Sequence, residues 1–250
     1  METLDVGLFF KENEKRLDLV LVTTREGLRR KITQKNLHRP GLALAGFLEL
    51  FTFDRVQILG NTEMTYLRNL NDKEKRAKFK KVFEHDIPCL IVTDSNPVPK
   101  EMIEEANRKK LAVFKTTYST TELVHLLSDY LDDKFAPKMD IHGSLVDVYG
   151  TGLLFTGRSG IGKSEIALDL LERGHRLVAD DVVIITKKAE GVLIGSGPEM
   201  LKHFMEIRGV GIIDVRQIFG VRAIRLQKRV EVQVELVDWD SAENYERIGL

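Results

Sequence analysis

An α/β protein of two domains is predicted by three observations. The first half carries a strand–helix–strand–helix run, the second a strand followed by a glycine-rich loop and a helix, and the chain changes character between them near Pro137. The expected division is an N-terminal open α/β domain over 1–134 and a C-terminal domain built on a phosphate-binding loop over 135–250. With 250 residues, 43% hydrophobic and 30% charged, there is enough apolar chain for two cores. Thirty-eight Lys and Arg balance 38 Asp and Glu, which argues against a general nucleic-acid or membrane-surface partner. The one cysteine, Cys89, lies in the apolar run "CLIV", where a buried structural thiol is expected and no intramolecular disulfide can form. The start "METLDVGLFF" lacks a basic leader, and no apolar stretch approaches membrane-spanning length, so a cytoplasmic location is expected.

In chain order, the basic run "NDKEKRAKFKK" (71–81) has helical spacing and interleaved acids, the mark of a solvated helix face. "DIPCLIVTD" (86–94) is a buried strand, and Pro97 and Pro99 precede the helical stretch "KEMIEEANRKK". "LAVFKT" is the next strand. "STTE" (119–122) is a capping box, with Ser119 receiving the helix start and Glu122 reaching back. Elements of these lengths imply parallel strands with right-handed crossover. No glycine-rich loop follows either strand, so no nucleotide site is expected in this half.

The second half is different. "GLLFT" (152–156) is a short strand and "SEIALDLLERG" a helix ending near Gly174. Between them Gly157, Arg158, Ser159, Gly160, Ile161, Gly162, Lys163 and Ser164 fit G-x-x-x-x-G-K-S. The glycines let successive N–H groups turn toward phosphate oxygens, Lys163 supplies a point charge, and the Ser164 hydroxyl can ligate Mg²⁺. In "RLVADDVVIIT" (176–186) Asp180 and Asp181 are expected inside one strand, on opposite faces, and therefore with different tasks; a bulge or strand end is the alternative. In "HFMEIRGVGIIDV" (203–215) Glu206 and Arg208 share a face if the segment is extended. They fit either a Mg²⁺ ligand with a phosphate contact or an ordinary surface ion pair. His142 and Arg247 by themselves read as structural.

"HGSLVDVYGTGLLFTGRSGIGKSEIALDLLERGHRLVADD" (142–181), with "MEIRGVGIIDV" (205–215), resembles the bifunctional HPr kinase/phosphorylase family. "RPGLALAG" (39–46), "DRVQILGNTE" (54–63) and "DWDSAENYERIGL" (238–250) extend the resemblance over almost the whole chain. It implies a catalytic P-loop kinase domain similar to phosphoenolpyruvate carboxykinase. The implied reaction is serine phosphorylation of the phosphocarrier HPr, or a homologue, from ATP or pyrophosphate, reversed by phosphorolysis with inorganic phosphate. A homo-oligomer, hexameric in the family, is implied too. The resemblance places the family's active-site histidine on His142, its P-loop lysine on Lys163, its catalytic aspartate on Asp181 and its active-site arginine on Arg247. The magnesium ligands fall on Ser164 and Glu206. The stretch needed for both reactions falls on Met205, Glu206, Ile207, Arg208, Gly209, Val210, Gly211, Ile212, Ile213 and Asp214. Two departures stand out: Arg158 replaces a residue that is acidic in many members, and members continue past the position of Leu250 through a loop tied to dephosphorylation and C-terminal helices. A P-loop small-molecule kinase and a non-enzymatic nucleotide-gated regulator are the alternative functions.

Overall fold

The chain divides into two units, Met1–Phe135 and Ala136–Leu250, in the computed structural model, which describes residues 3–188 and 191–239. In the first unit a five-stranded sheet runs in the order Val20–Leu21, Ala112–Lys115, Cys89–Val92, Val56–Leu59, Leu37–His38. The last four are mutually parallel and Val20–Leu21 is an antiparallel edge. Side chains alternate across the sheet. Ile58, Cys89, Ile91 and Phe114 meet Phe9, Leu123, Leu127 and Leu131 from helices Val6–Asn13 and Thr120–Lys134. Leu59, Leu90, Val92 and Val113 meet Met64, Leu67, Phe79 and Met102 from helices Asn61–Arg68, Asp72–Val82 and Lys100–Arg108. With both faces covered, the strands read as continuous apolar runs rather than alternating ones. Burial pushes the Cys89 thiol far up, so it stays protonated and inert.

Two helix starts carry reciprocal capping bonds, the predicted one at Ser119 and a further one at Asn71. The Glu74 amide donates to Asn71 at 3.0 Å and the Asn71 amide to Glu74 at 2.9 Å. Ser119 and Glu122 exchange the same pair, each at 3.3 Å.

The second unit is built mostly from antiparallel strands. One sheet runs Arg176–Ala179, Ser144–Val148, Thr151–Gly157, Val232–Leu236, with only the last pair parallel. A second runs Gln227–Arg229, Leu193–Ser196, Val182–Lys187, Lys138–His142. Leu145, Leu154, Val178 and Ala179 of the first sheet pack on Val183 and Ile185 of the second. On its other face Val146, Phe155 and Leu177 receive Ala167 and Leu171 of helix Lys163–Glu172 and Met205 and Ile207 of a hairpin.

One expectation is corrected here. The run 176–186 is not one strand with Asp180 and Asp181 in its interior. Arg176–Ala179 and Val182–Lys187 belong to different sheets, and the two aspartates form the corner between them, Asp181 having φ 64°. Both flanks pack in the same core, so the apolar pattern runs unbroken across a bend that nothing in it marks.

Candidate active site

Strand Thr151–Gly157 leads into a loop whose glycines take left-handed or neighbouring backbone: φ 138° at Gly157, 77° at Gly160 and 105° at Gly162. A Cβ on Gly157 would stand 2.5 Å from the Leu236 carbonyl oxygen, so the loop can pass the adjacent strand only as glycine. Helix Lys163–Glu172 then starts at Gly162 without a capping side chain. Its first N–H groups and the positive end of its dipole are thus left for an anion. Lys163 is buried, and its Nζ donates to the carbonyls of Gly157 at 3.1 Å and Arg158 at 3.0 Å. These bonds close the loop around the ammonium and hold its charge at the loop's centre.

The next residue faces Asp180. Ser164 Oγ lies 3.1 and 3.0 Å from the two carboxylate oxygens. Asp180 is 5% exposed; it also accepts from Ser144 Oγ at 2.5 Å and from the Glu206 amide at 3.4 Å. Burial raises its carboxyl above the ordinary range, opposed by the hydroxyls of Ser144 and Ser164 and the amides of Glu206 and Asp181. Among the described residues, hydroxyls and amides hold this charge, and no cationic side chain does.

Asp181 turns elsewhere. Its half-exposed carboxylate is 3.0 Å from His142 Nδ1, which also lies 3.0 Å from the Asp181 carbonyl oxygen. The paired strands Lys138–His142 and Val182–Lys187, with His142 opposite Val182, fix this neighbourhood. The corner therefore sends one carboxylate beneath the helix start and the other to the histidine.

A cleft of about 340 Å³ opens between these groups, lined by His142, Lys163, Ser164, Asp181, Glu206 and Arg208 among others. The last two come from the hairpin Phe204–Ile207 and Gly211–Asp214, which Gly209 (φ 82°) and Gly211 (φ 101°) turn. Met205 and Ile207 point into the core while Glu206 and Arg208 are exposed toward the cleft. The Arg208 guanidinium lies over the loop, 3.1 to 3.3 Å from where a Gly160 Cβ would be. Val210 and Ile212 face outward, Ile213 is half-buried, and Asp214 caps the short helix Val215–Phe219 through the Arg216 and Gln217 amides. The predicted segment thus divides between core, cleft and cap.

Within the loop, Ser159, Gly160 and Gly162 line the cleft, whereas Arg158 and Ile161 are not among its walls. Arg158 forms a bidentate pair with Asp238, 2.6 Å in both bonds. Arg247 lies outside the described residues. Three participants carry no sequence signal of their own. Ser144 is a small residue opening an apolar strand, Glu165 lines the cleft from the first helical turn, and Asp238 meets Arg158 from 80 residues away.

Among the described residues no three His, Cys, Asp or Glu side chains gather as a metal cage. The donors present are hard oxygens: the Ser164 hydroxyl and Glu206 in the cleft, and behind Ser164 the buried Asp180 carboxylate, which has no cationic partner among the described residues. Mg²⁺ keeps water and phosphate oxygens and needs only one or two from the protein, so this set fits Mg²⁺ arriving with a phosphate substrate.

Comparison with known proteins agrees in both units. The HPr Serine kinase N terminus model matches residues 5–131, and the HPr Serine kinase C-terminal domain model matches residues 133–250. The chain belongs to the HPr kinase/phosphorylase family. A relative named HPr kinase/phosphorylase from Prosthecochloris aestuarii is 50% identical over 250 residues, covering 99% of this chain and 74% of the relative. Another so named, from Chloroherpeton thalassium, is 49% identical over 251 residues, covering 100% and 74%. Among solved structures, the Hpr(Ser) kinase/phosphatase from Coxiella burnetii aligns with 37% identity and a TM-score of 0.41, over 43% of this chain and 65% of that one. Membership makes the chain a kinase/phosphorylase, with the mixed α/β, two-domain organisation of the family. Among the described residues no helix is long and apolar enough to cross a membrane.

Proposed function

We propose that this chain transfers a phosphoryl group from ATP or pyrophosphate to a serine of HPr or a homologue, and reverses the transfer by phosphorolysis. The observation that carries the reading is the Asp180–Asp181 corner. It sets one carboxylate behind the P-loop serine and its neighbour beside a histidine, and Ser164, Asp181 and His142 all line one cleft.

In this mechanism the loop amides and Lys163 bind the donor's terminal phosphates, and Lys163 exchanges its bonds to the loop carbonyls for phosphate oxygens. Ser164 and Glu206 would hold Mg²⁺, with Asp180 fixing the Ser164 hydroxyl. Bound Mg²⁺ would offset charge on the phosphate oxygens. Arg208, above the loop, adds a second cation on that side. Asp181 accepts the proton of the incoming serine while the seryl oxygen–phosphorus bond forms and the bond to the leaving phosphate breaks. In reverse, an oxygen of inorganic phosphate attacks the seryl phosphate, pyrophosphate forms, and Asp181 returns the proton to the departing seryl oxygen. His142 orients the Asp181 carboxylate. Arg247 is assigned to charge stabilisation by the family resemblance alone.

Transfer of labelled phosphate from ATP to purified HPr tests this reading. Turnover on a small molecule with none on HPr would favour a small-molecule kinase, and nucleotide binding without any turnover a regulator. Hexameric assembly and a cytoplasmic location belong to the same proposal; light scattering of the chain checks the first.

A further inference from the structure

Ser144 opens the strand Ser144–Val148, fully buried, on the face that carries Val146 onto helix Lys163–Glu172. An aliphatic residue would suit such a place, since a buried hydroxyl must find a partner or lose free energy. Its partner is Asp180 Oδ1 at 2.5 Å, a charge-assisted bond at the short end of the range. Among the described residues, the other side-chain contact of Asp180 is Ser164 Oγ, with amide bonds from Glu206 at 3.4 Å and from Asp181. Without Ser144, the one described side chain fixing the carboxylate would be the one whose hydroxyl it is itself supposed to fix.

We infer that Ser144 is a positioning residue. Its hydroxyl locks the Asp180 carboxylate in the orientation that takes the Ser164 proton and leaves the Ser164 lone pairs facing the cleft. This inference rests on the phosphotransfer reading above for its consequence in turnover, but its geometry concerns cation binding at Ser164. A hydroxyl suits the task better than a cation would. It fixes the carboxylate without neutralising it, so the negative charge still acts through Ser164 on a divalent ion. Groups that orient a metal ligand from behind are worth about 10- to 100-fold in metal affinity.

The test uses the full chain and two substitutions. Ser144→Val and Ser144→Thr are nearly isosteric with each other and differ in the hydroxyl, which only Ser144→Thr keeps. Binding of Mn²⁺ in the presence of ADP is read by electron paramagnetic resonance, and HPr phosphorylation is measured across a Mg²⁺ titration. Ser144→Val should weaken Mn²⁺ binding by about 10-fold and raise the Mg²⁺ needed for half-maximal rate by a similar factor. The rate at saturating Mg²⁺ should largely recover, and Ser144→Thr should behave like the parent. In an Asp180→Asn background Ser144→Val should add no further loss, because the group it positions is gone. Should Ser144→Val not fold, Ser144→Ala replaces it in the same assays. Unchanged Mn²⁺ binding in a folded variant overturns the inference, as does a rate loss that Mg²⁺ does not relieve. A parent chain that binds Mn²⁺ with ADP but phosphorylates no HPr sinks the functional proposal instead, while the binding comparison still decides this one.

Discussion

Each unit contains a strand that runs through glycine into a helix, and the two junctions are finished in opposite ways. In the first, Val56–Leu59 passes Gly60 into Asn61–Arg68. The Gly60 amide donates to Glu63 at 2.9 Å, and the same carboxylate oxygen takes Arg39 at 2.7 Å, with Glu63 buried. Space around Gly60 is also taken, because a Cβ there would stand 2.3 Å from Thr120 Oγ1. This helix start carries its own anion. In the second junction Gly162 has no capping group, and the loop is lined by Lys163, Ser164 and Arg208 around open space. Glycine before a helix therefore does not by itself make an anion site; the proposed phosphate site rests on the uncapped start at Gly162 and the cations around it.

Loss of the cation at the open junction should give the largest effect. Lys163→Ala should lower transfer from ATP and from pyrophosphate alike by about 10³-fold or more, since the charge acts on phosphates common to both donors. Single-turnover assays with each donor check this; survival of the pyrophosphate reaction alone would displace Lys163 from its assigned place.

The two aspartates come next. Asp181→Asn should lower both directions by on the order of 10²–10⁴ with little change in ATP affinity. Asp180→Asn should act mainly by raising the Mg²⁺ requirement. Rates in both directions over a Mg²⁺ titration separate them, and the reverse pattern would exchange their roles.

The closed junction should answer in stability instead. Glu63→Gln weakens the bond to Arg39 and leaves a buried neutral cap, at a cost of about 1–3 kcal/mol. Denaturant unfolding measures this, while transfer per folded molecule should stay at the parent value. A fall in turnover without a fall in stability would break the contrast between the junctions.

The smallest effect concerns a pair on helix Lys100–Arg108, in which Arg108 is exposed and Glu105 buried. Arg108 hydrogen-bonds Glu105 and, against the opposing effect of burial, holds its carboxyl below the usual range. A lowered folded value means stability present above the unfolded value and lost as pH falls through the folded one. The melting-temperature gap between the parent and Arg108→Gln should therefore be small at neutral pH and close on acidification. A gap that widened in acid would reverse the sign of this pair.

The parallel strands of the first unit and the glycine loop between strand and helix were legible because local signals carried them. The Ser119 cap lies within four residues of sequence, and the G-x-x-x-x-G-K-S pattern within eight. The corner at Asp180 and Asp181 was not, because the apolar run on both sides reports burial in one core rather than membership of one strand. The largely antiparallel order of the second unit was equally hidden, as its register joins residues far apart, such as Ile194 with Arg229. Ser144 escaped for the same reason, reaching Asp180 across 36 residues. Arg158 looked like a loop residue for phosphate, and only the fold brings it to Asp238.

The left-handed backbone of Asp181 also decides which substitutions can be interpreted. Asn occupies that conformation at least as readily as Asp, and Gly more readily still, while Ala or a longer acid resists it. Asp181→Asn thus removes the charge and leaves the bend in place. Asp181→Ala or Asp181→Glu would also strain the chain next to Asp180, so a loss of activity would mix the proposed proton transfer with the proposed magnesium side. A scan of this corner built on alanine would report one joint defect in place of the two roles proposed for adjacent residues.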